Sequence, residues 1–268
     1  MNNDKLFIGI SAIIGAGKTT LTNALAESLK YLGLFEPVSK NKYLDDFYKF
    51  INNYSKIKEN INSFNINSED KWMYENSIVF NIQIEWLWRR YALHQQAIYS
   101  PVGIVQDRLL FEDVIFAKML SDSGIMKKRD FENYIGLFNI LKPNIEYPDL
   151  ILYLKIDPSI AFERIKKRGR PCESEMSLKY LQDLNKNYEE YIESISKSCN
   201  VWTIDWNENI NLENGDYDKI VKDLSIKIMN KKENNLFYKN MVKIWMKNYY
   251  INIRIIWGMK EDYYIIKE

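Results

Sequence analysis

Cysteine, histidine and glycine are scarce in this chain of 268 residues, and each scarcity narrows the class of protein. Two cysteines are too few for a disulfide framework and suit a reducing compartment, which predicts a cytoplasmic protein. With a single histidine beside them, a zinc site built from cysteine and histidine is close to excluded. The chain has only ten glycines, so a local cluster of them needs a specific explanation.

An excess of one charge and long apolar runs are also missing. Lysine and arginine number 37 and aspartate and glutamate 36, so the formal net charge is +1. This balance argues against a nucleic-acid partner held by bulk charge. No apolar run reaches the length of a membrane span, and the first five residues form no secretion signal. We therefore expect neither nucleic acid nor a membrane as a partner.

Short apolar segments alternate with longer helical patterns along most of the chain. This alternation is typical of βαβ units and predicts an α/β fold with helices on both faces of a parallel sheet. The predicted strands are Leu6–Ile10, Leu34–Val38, Gly103–Val105, Leu150–Ile156 and Val201–Ile204. The predicted helices are Lys18–Tyr31, Trp72–Gln96, Arg129–Leu141, Pro158–Arg168, Ser177–Ser196 and Tyr217–Met229. Ligands of such folds bind at the carboxyl ends of the strands.

A segment with two glycines, Ala12–Thr19, follows the first predicted strand. It has the spacing of a Walker A phosphate loop, with alanine in place of the first glycine. Small residues let backbone N–H groups surround phosphate oxygens, and the helix that follows adds the positive end of its dipole. Lys18 would reach the transferred phosphate, and Thr19 would bind Mg²⁺. The predicted nucleotide-phosphate site consists of Ile13, Ile14, Gly15, Ala16, Gly17, Lys18, Thr19 and Thr20.

Two acidic residues lie at strand mouths: Glu36 follows Leu34–Phe35 at the mouth of the second strand, and Asp107 follows Ile104–Gln106 at the mouth of the third. One acid would accept the proton of an attacking hydroxyl group, and the other would hold Mg²⁺ directly or through water. The alternative is that both acids are exposed residues at strand ends. Arg108, beside Asp107, would either bind a phosphate oxygen or pair with an acid.

Two further segments carry side chains suited to a nucleotide. Gln83, Trp86 and Arg90 share one helix face, which suits the edge and plane of a base, unless Gln83 is exposed and Trp86 belongs to the core. His94 is expected at the surface. Arginines between 164 and 170 suit a transferring phosphoryl group, the alternatives being a solvated basic face or a nucleic-acid patch.

In their order and spacing, these segments resemble the deoxynucleoside kinases over about residues 5–205. The matching segments are Gly15–Thr20, Phe35–Val38, Asn41–Leu44, Gln83–Arg90, Gln106–Arg108, Phe111–Asp113, Arg129–Phe131, Tyr147–Leu150, Arg164–Arg170 and Tyr180–Leu181. The resemblance implies a P-loop kinase fold with a five-stranded parallel sheet and an arginine-rich lid. It also implies Mg²⁺-assisted transfer of a phosphoryl group from ATP to the 5′-hydroxyl of a deoxynucleoside, by a homodimer.

The resemblance also implies roles for individual residues. Those acting on the reacting groups are Glu36 as general base, Lys18 at the donor phosphates, Arg108 near the 5′ end, and Arg164, Arg168 and Arg170 in the lid. Those binding the deoxynucleoside are Glu36, Tyr74, Gln83, Trp86, Arg90, Arg108, Asp113 and Glu173. Those serving Mg²⁺ are Thr19 and Asp107. An Arg–Asp pair at the base favours a purine deoxynucleoside or deoxycytidine over thymidine.

The chain departs from the family pattern at Ala12, Leu109 and Cys172, where the family has glycine, serine and an acid. These departures leave open a catalytically weak structural subunit, and the Walker loop alone also allows a nucleoside monophosphate kinase. One residue is missing after Asp113, which rotates the helix that follows by about 100° and weakens a base-stacking role for Phe116. We expect a kinase domain over 1–230 and a C-terminal extension of unknown role over 231–268.

Overall fold

The computed structural model describes residues 5–36, 38, 41–62, 78–174, 176–207 and 217–231. Its strands are β1 (Phe7–Ser11), β2 (Leu32–Leu34), β3 (Ile104–Asp107), β4 (Leu150–Lys155) and β5 (Val201–Asp205). Its helices are α1 (Lys18–Leu29), α2 (Leu44–Asn62), α3 (Ile78–Ile98), α4 (Asp113–Asp122), α5 (Lys128–Leu141), α6 (Pro158–Arg168), α7 (Leu178–Ile195) and α8 (217–231). Short 3₁₀ turns occur at Leu110–Glu112, Lys142–Asn144 and Pro171–Glu173.

The strands form one sheet in the order β2-β3-β1-β4-β5, and every neighbouring pair is parallel. Ile8 of the central strand pairs with Val105 on one side and with Leu150 on the other. All four residues of β3 are buried, as are four of the five in β1 and five of the six in β4. Helices must therefore cover both faces of the sheet, which confirms the predicted α/β fold.

Strand β2 begins and ends earlier than the sequence pattern predicted. It covers Leu32–Leu34 rather than Leu34–Val38, and Leu32 and Leu34 pair with Ile104 and Gln106. The glycine at position 33 counts against a strand by propensity, but pairing with β3 overrides this preference. The shift places Glu36 two residues beyond the end of the strand.

His94 is not a surface residue as predicted, because α3 is packed on more than one side. The imidazole is fully buried, with Nε2 2.7 Å from the carbonyl oxygen of Glu146. It also makes edge contacts with the rings of Phe7 and Phe111, at centroid distances of 5.2 and 5.6 Å. Burial lowers the pKa of this side chain, so it is neutral and belongs to the core.

The register of the sheet positions the predicted site residues at one edge. Ile10 pairs with Asp107, and Leu34 pairs with Gln106, so β1, β2 and β3 end at the same level. The phosphate loop follows β1, Glu36 follows β2, and Arg108 follows β3. These parts of the chain therefore leave the sheet side by side at its carboxyl edge, where parallel sheets bind ligands.

Within the described residues, none of the helices has both the length and the apolar character that a bilayer crossing requires. The helix predicted from Trp72 is described from Ile78 onwards, so its first residues lie outside the described part. The same holds for Tyr74 and for the proposed extension beyond residue 231. The division into 1–230 and 231–268 stays a prediction.

Candidate active site

The phosphate loop joins β1 to α1 and depends on two glycines. Gly15 and Gly17 have φ angles of +86° and +93°, a left-handed conformation that other residues adopt at a cost. A side chain at Gly15 would also lie 2.5 Å from the carbonyl oxygen of Ala161, because α6 packs directly behind the loop. Ala12 is fully buried and is not among the positive-φ residues, so alanine fits there without strain.

Lys18 is the first residue of α1, and its side chain folds back over the loop. Its Nζ atom donates hydrogen bonds to the carbonyl oxygens of Ala12 and Ile13, both at 3.0 Å. Burial and the nearby Arg108 guanidinium lower its pKa to about 8, against the raising effect of Asp107, Glu112 and Glu36. A triphosphate placed here would supply the negative charge that this buried ammonium group lacks.

Thr19 and Asp107 form the part of the site that fits Mg²⁺. Thr19 Oγ1 donates a 2.5 Å hydrogen bond to Asp107 Oδ2, and the other carboxylate oxygen of Asp107 is buried without a hydrogen bond from the described residues. Burial raises the pKa of Asp107, opposed by Lys18 and Thr19. The described residues contain no group of three or more His, Cys, Asp or Glu side chains able to hold a metal. Magnesium usually keeps phosphate and water among its ligands, so Thr19 and Asp107 could serve as its protein ligands here.

Glu36 lies between two arginines. Its Oε1 atom contacts Arg90 Nη2, and its Oε2 atom is 3.4 Å from Arg108 Nε. Burial alone would raise the pKa of Glu36, but the guanidinium groups of Arg90 and Arg108 outweigh it and lower the pKa to about 2. The carboxylate is therefore ionised and turned into the site rather than towards solvent.

The base-reading residues predicted on α3 lie beside this acid. Arg90 contacts Asp113 of α4 through Nη1, so one guanidinium joins Asp113 and Glu36. The guanidinium carbon of Arg90 lies 4.7 Å from the ring centroid of Trp86. Gln83, Trp86 and Arg90 are all buried on α3. The structure thus brings a cation and an acid together next to Glu36, and it places the Gln83 amide two helical turns from Arg90 on the same helix.

The predicted lid arginines do not share one environment. Arg168 Nη2 donates a 2.6 Å hydrogen bond to the buried Glu173, and Arg170 Nη1 is 3.6 Å from the same carboxylate. Arg164 instead donates to the carbonyl oxygen of Ala16 in the phosphate loop, at 3.2 Å. Arg168 and Arg170 therefore form a separate cluster with Glu173, whereas Arg164 of α6 contacts the phosphate loop.

Comparison with known proteins decides the family. A model of the deoxynucleoside kinase family matches residues 8–230, which is most of the chain. This chain belongs to the deoxynucleoside kinase family. Its relatives include the deoxyadenosine kinase of Dictyostelium discoideum, 40% identical over 206 residues, which are 77% of this chain and 74% of the relative. The deoxyadenosine/deoxycytidine kinase of Bacillus subtilis is 32% identical over 188 residues, 69% of this chain and 76% of the relative.

Solved structures of the family have the same fold. The deoxyadenosine kinase from M. mycoides with bound dCTP is similar at a TM-score of 0.65 and 27% identity, over 84% of this chain and 100% of that one. The same enzyme with bound dATP gives a TM-score of 0.64 at 28% identity, over 84% and 100% of the two chains. The resemblance seen in the sequence is confirmed, and the protein is an ATP-dependent kinase of deoxynucleosides.

Two residues without a predicted role hold Arg108 in this kinase. Tyr188 of α7 accepts a 2.7 Å hydrogen bond from Arg108 Nη1 and donates a 2.6 Å bond to Glu112. Glu112 also accepts a 2.8 Å bond from the backbone N–H of Leu109. Arg108 has a φ angle of +66°, an uncommon conformation for a residue with a side chain. The buried Tyr188 and Glu112 therefore fix a strained residue, and no sequence pattern indicates Tyr188.

The structure shows the environment of Leu109, which differs from the family pattern, and of Phe116, which follows the missing residue after Asp113. Leu109 is buried against β1, where a side chain at Gly9 would approach Leu109 Cδ2 to 2.5 Å. Phe116 packs under Arg108, whose guanidinium carbon lies 4.8 Å from the ring centroid, and meets the Tyr188 ring edge-on at 6.1 Å. Leu109 thus belongs to the core, and Phe116 supports Arg108. The side chain of Cys172 lies outside the described part.

Proposed function

We propose that this kinase transfers the γ-phosphoryl group of ATP to the 5′-hydroxyl of a purine deoxynucleoside or deoxycytidine, with Glu36 as the general base. The observation that carries the proposal is the position of the Glu36 carboxylate, which contacts Arg90 and lies 3.4 Å from Arg108. Arg90 belongs to the predicted base site, and Arg108 follows the strand that carries Asp107. An acid at this point lies between the acceptor and the donor phosphates.

Glu36 accepts the proton of the 5′-hydroxyl group in this proposal. Its pKa of about 2 keeps it ionised at every physiological pH, so it is always in the accepting form. The two arginines that keep it ionised also make it a weak base. This favours a late proton transfer, after the attacking oxygen has begun to bond to phosphorus in a loose transition state.

Fixed positive charge would stabilise the transferred group. Lys18 and Arg108 are both buried at the carboxyl edge of the sheet, and Arg108 is held there by Tyr188 and Glu112. Such preorganised donors need no reorientation during the reaction. We propose that Thr19 and Asp107 hold Mg²⁺, which would neutralise charge on the β- and γ-phosphates.

The Arg90–Asp113 pair would select the base. Adenine, cytosine and guanine each carry an exocyclic amino group that an aspartate can accept from, guanine at C2, whereas thymine carries none. Asp113 is fully buried, so thymine would leave its carboxylate without this bond, which is costly. The Dictyostelium discoideum and Bacillus subtilis relatives, kinases of deoxyadenosine and of deoxyadenosine and deoxycytidine, support this choice.

Two further parts of the proposal concern the oligomeric state and the cellular location of the enzyme. We propose a homodimer formed through α3 and α5, supported by exposed apolar side chains on these helices at Trp88, Leu137 and Ile140. Sedimentation of the purified protein tests it, and a monomer at micromolar concentration would contradict it. We also propose a cytoplasmic location, supported by the low cysteine content.

A coupled ATP-turnover assay tests the reaction, with each of the four deoxynucleosides and each of their monophosphates as acceptor. We expect turnover with deoxyadenosine, deoxyguanosine or deoxycytidine at a kcat/KM well above that for thymidine. Turnover only with monophosphates would show a nucleoside monophosphate kinase. No turnover with any acceptor would support the structural-subunit alternative.

A further inference from the structure

The residue directly after β5, Trp206, reaches back to the phosphate loop across the fold. Its indole Nε1 donates a 2.9 Å hydrogen bond to the carbonyl oxygen of Ala16, 190 residues away in the chain. Trp206 is buried, and its Nε1 would be 3.9 Å from a side chain placed at Gly17. The indole therefore lies against the tightest part of the loop.

Arg164 binds the same carbonyl group from α6. Its Nη1 atom donates to Ala16 O at 3.2 Å, and its Nη2 atom donates to the backbone carbonyl oxygen of Trp206 at 3.3 Å. The Ala16 carbonyl thus accepts two hydrogen bonds, one of them from a charged group. Arg164 also joins the loop to the segment after β5, so the indole and the guanidinium support each other.

A fixed carbonyl group also fixes the N–H group of its peptide. The C=O of Ala16 and the N–H of Gly17 belong to one planar trans peptide and point in opposite directions. In a Walker loop, backbone N–H groups bind the phosphates. Rotation of this peptide changes the ψ angle of Ala16 and the φ angle of Gly17, and Gly17, with a φ of +93°, has no side chain that would hinder it. A rotation would turn the carbonyl dipole towards the phosphates.

We propose that Trp206 is a positioning residue for the ATP phosphates, which with Arg164 locks the Ala16–Gly17 peptide so that the Gly17 N–H faces the phosphate site. Rotation of this peptide would break two hydrogen bonds to Ala16 at once. A carbonyl that accepts two bonds also polarises its own peptide, which strengthens the N–H as a donor. The proposal rests on this loop being the ATP site, but not on the role of Glu36.

Replacing the Trp206 indole by a ring without an N–H donor tests whether its hydrogen bond to Ala16 holds the loop peptide in place. Trp206→Phe keeps an aromatic side chain and removes the N–H donor. Trp202→Phe is the matched control, because Trp202 is half-buried on β5 and makes no hydrogen bond through its indole to the described residues. We expect Trp206→Phe to weaken ATP binding about threefold to tenfold, the effect of one lost hydrogen bond, with the KM for the deoxynucleoside unchanged. Trp202→Phe should change neither.

Calorimetric titration with ATP in the absence of acceptor gives the dissociation constant, and thermal unfolding shows whether each variant is folded. A folded Trp206→Phe protein with unchanged ATP affinity would overturn the proposal, as would an equal loss of affinity for both substrates. If Trp206→Phe does not fold, Arg164→Lys takes its place, since it removes the second donor to Ala16. It should raise the dissociation constant for ATP by a similar factor, and an unchanged value would overturn the lock. Failure of the wild-type protein to bind ATP would instead contradict the proposed site.

Discussion

The two ends of the candidate active site are built differently. The donor end, which would bind the ATP phosphates, is Lys18 and the loop around it, eight consecutive residues. The acceptor end, which would bind the deoxynucleoside, consists of Glu36, Arg90, Arg108 and Asp113 from separate parts of the chain. The donor end is mostly backbone: two left-handed glycines, a helix N-terminus and one lysine bonded to carbonyl oxygens. The acceptor end is mostly side chains, joined in buried ion pairs. The two ends should therefore respond differently to substitution.

Electrostatics separate the two ends further. Burial is the main cause that lowers the pKa of Lys18, and it outweighs the raising effect of Asp107, Glu112 and Glu36. At Glu36 the effect of burial, which raises the pKa, is outweighed by Arg90 and Arg108, which lower it, so the carboxylate is held in its ionised form by cations of the protein. The donor end is thus prepared for an anionic ligand, while the acceptor end is already neutralised within the protein. Substitutions at the acceptor end should disturb chemistry and base choice, and changes at the donor end should disturb ATP binding.

Glu36→Gln should give the largest effect and should be confined to the acceptor end. We expect kcat to fall by about 10²–10⁴, because glutamine has the same shape but cannot accept the proton. The dissociation constant for ATP should stay within about twofold of the wild-type value, since the ion-pair partners described for Glu36 are Arg90 and Arg108 and not residues of the loop. Steady-state kinetics and calorimetric titration measure the two quantities.

The control for this variant is Glu27→Gln, which removes the same charge from an exposed position on α1. It should leave both kcat and ATP binding unchanged. A kcat of Glu36→Gln within tenfold of the wild-type value would exclude Glu36 as the base. A comparable loss of ATP affinity would show that the two ends are not separate.

The next largest effect is expected for Arg90→Met combined with Asp113→Ala. Without the pair, the preference for deoxyadenosine or deoxycytidine over thymidine, as a ratio of kcat/KM values, should fall roughly tenfold to a hundredfold. The double variant is preferred because Arg90→Met alone leaves the buried Asp113 charge without its cation, which costs about 3–5 kcal/mol of unfolding free energy. An unchanged preference in a folded double variant would refute this assignment of the base site.

The same contrast explains what could be read from the sequence. The donor loop was readable because its residues are adjacent and each has a known role in binding phosphate. Asp107 lies at the end of β3 as the sequence indicated, and Glu36 also lies at this edge of the sheet although β2 ends at Leu34 rather than Val38. Tyr188 and Trp206 were not found, because each acts on a residue far away in the chain, and nothing local distinguishes it from a core aromatic residue.

Other misses concern burial and element boundaries. Helix α2 was not predicted, and a helix after Asp113 was expected only from the family resemblance, because α4 carries buried polar and apolar residues close together. His94 was placed at the surface because a polar residue within a helix is usually exposed, whereas aromatic rings enclose this one. Tertiary packing decides such cases, and the periodicity of a single sequence does not contain it.

The two ends of the site should also differ in the number of protons taken up when their ligands bind near pH 8. With a pKa of about 8 in the free enzyme, Lys18 is half protonated at pH 8, and bound triphosphate returns its pKa towards the usual range. ATP binding should therefore take up about half a proton at pH 8. ATP affinity should fall as the pH rises from 8 to 9, by a factor of up to about ten.

Calorimetry in buffers of different ionisation enthalpy measures this uptake. Lys18→Arg is the control, because arginine stays protonated over the whole range and should abolish the uptake. Deoxynucleoside binding should take up no proton between pH 7 and 9, since Glu36, with a pKa of about 2, stays ionised throughout. Equal proton uptake for ATP and for the deoxynucleoside would contradict the electrostatic contrast.

The smallest effect is expected for the hydrogen bonds that support Arg108, and it is an effect on stability. Two buried tyrosines, one at this site and one elsewhere, offer a matched pair. Tyr188 and Tyr134 are both fully buried, but the Tyr188 hydroxyl bonds Arg108 and Glu112, whereas the Tyr134 hydroxyl has no hydrogen bond from the described residues. Tyr188→Phe should lower the free energy of unfolding by about 1–3 kcal/mol, because it leaves buried charged groups with one partner fewer. Tyr134→Phe should be neutral or stabilising in urea denaturation. If the two variants lose equal stability, packing of the rings, and not the hydrogen bonds, supports Arg108.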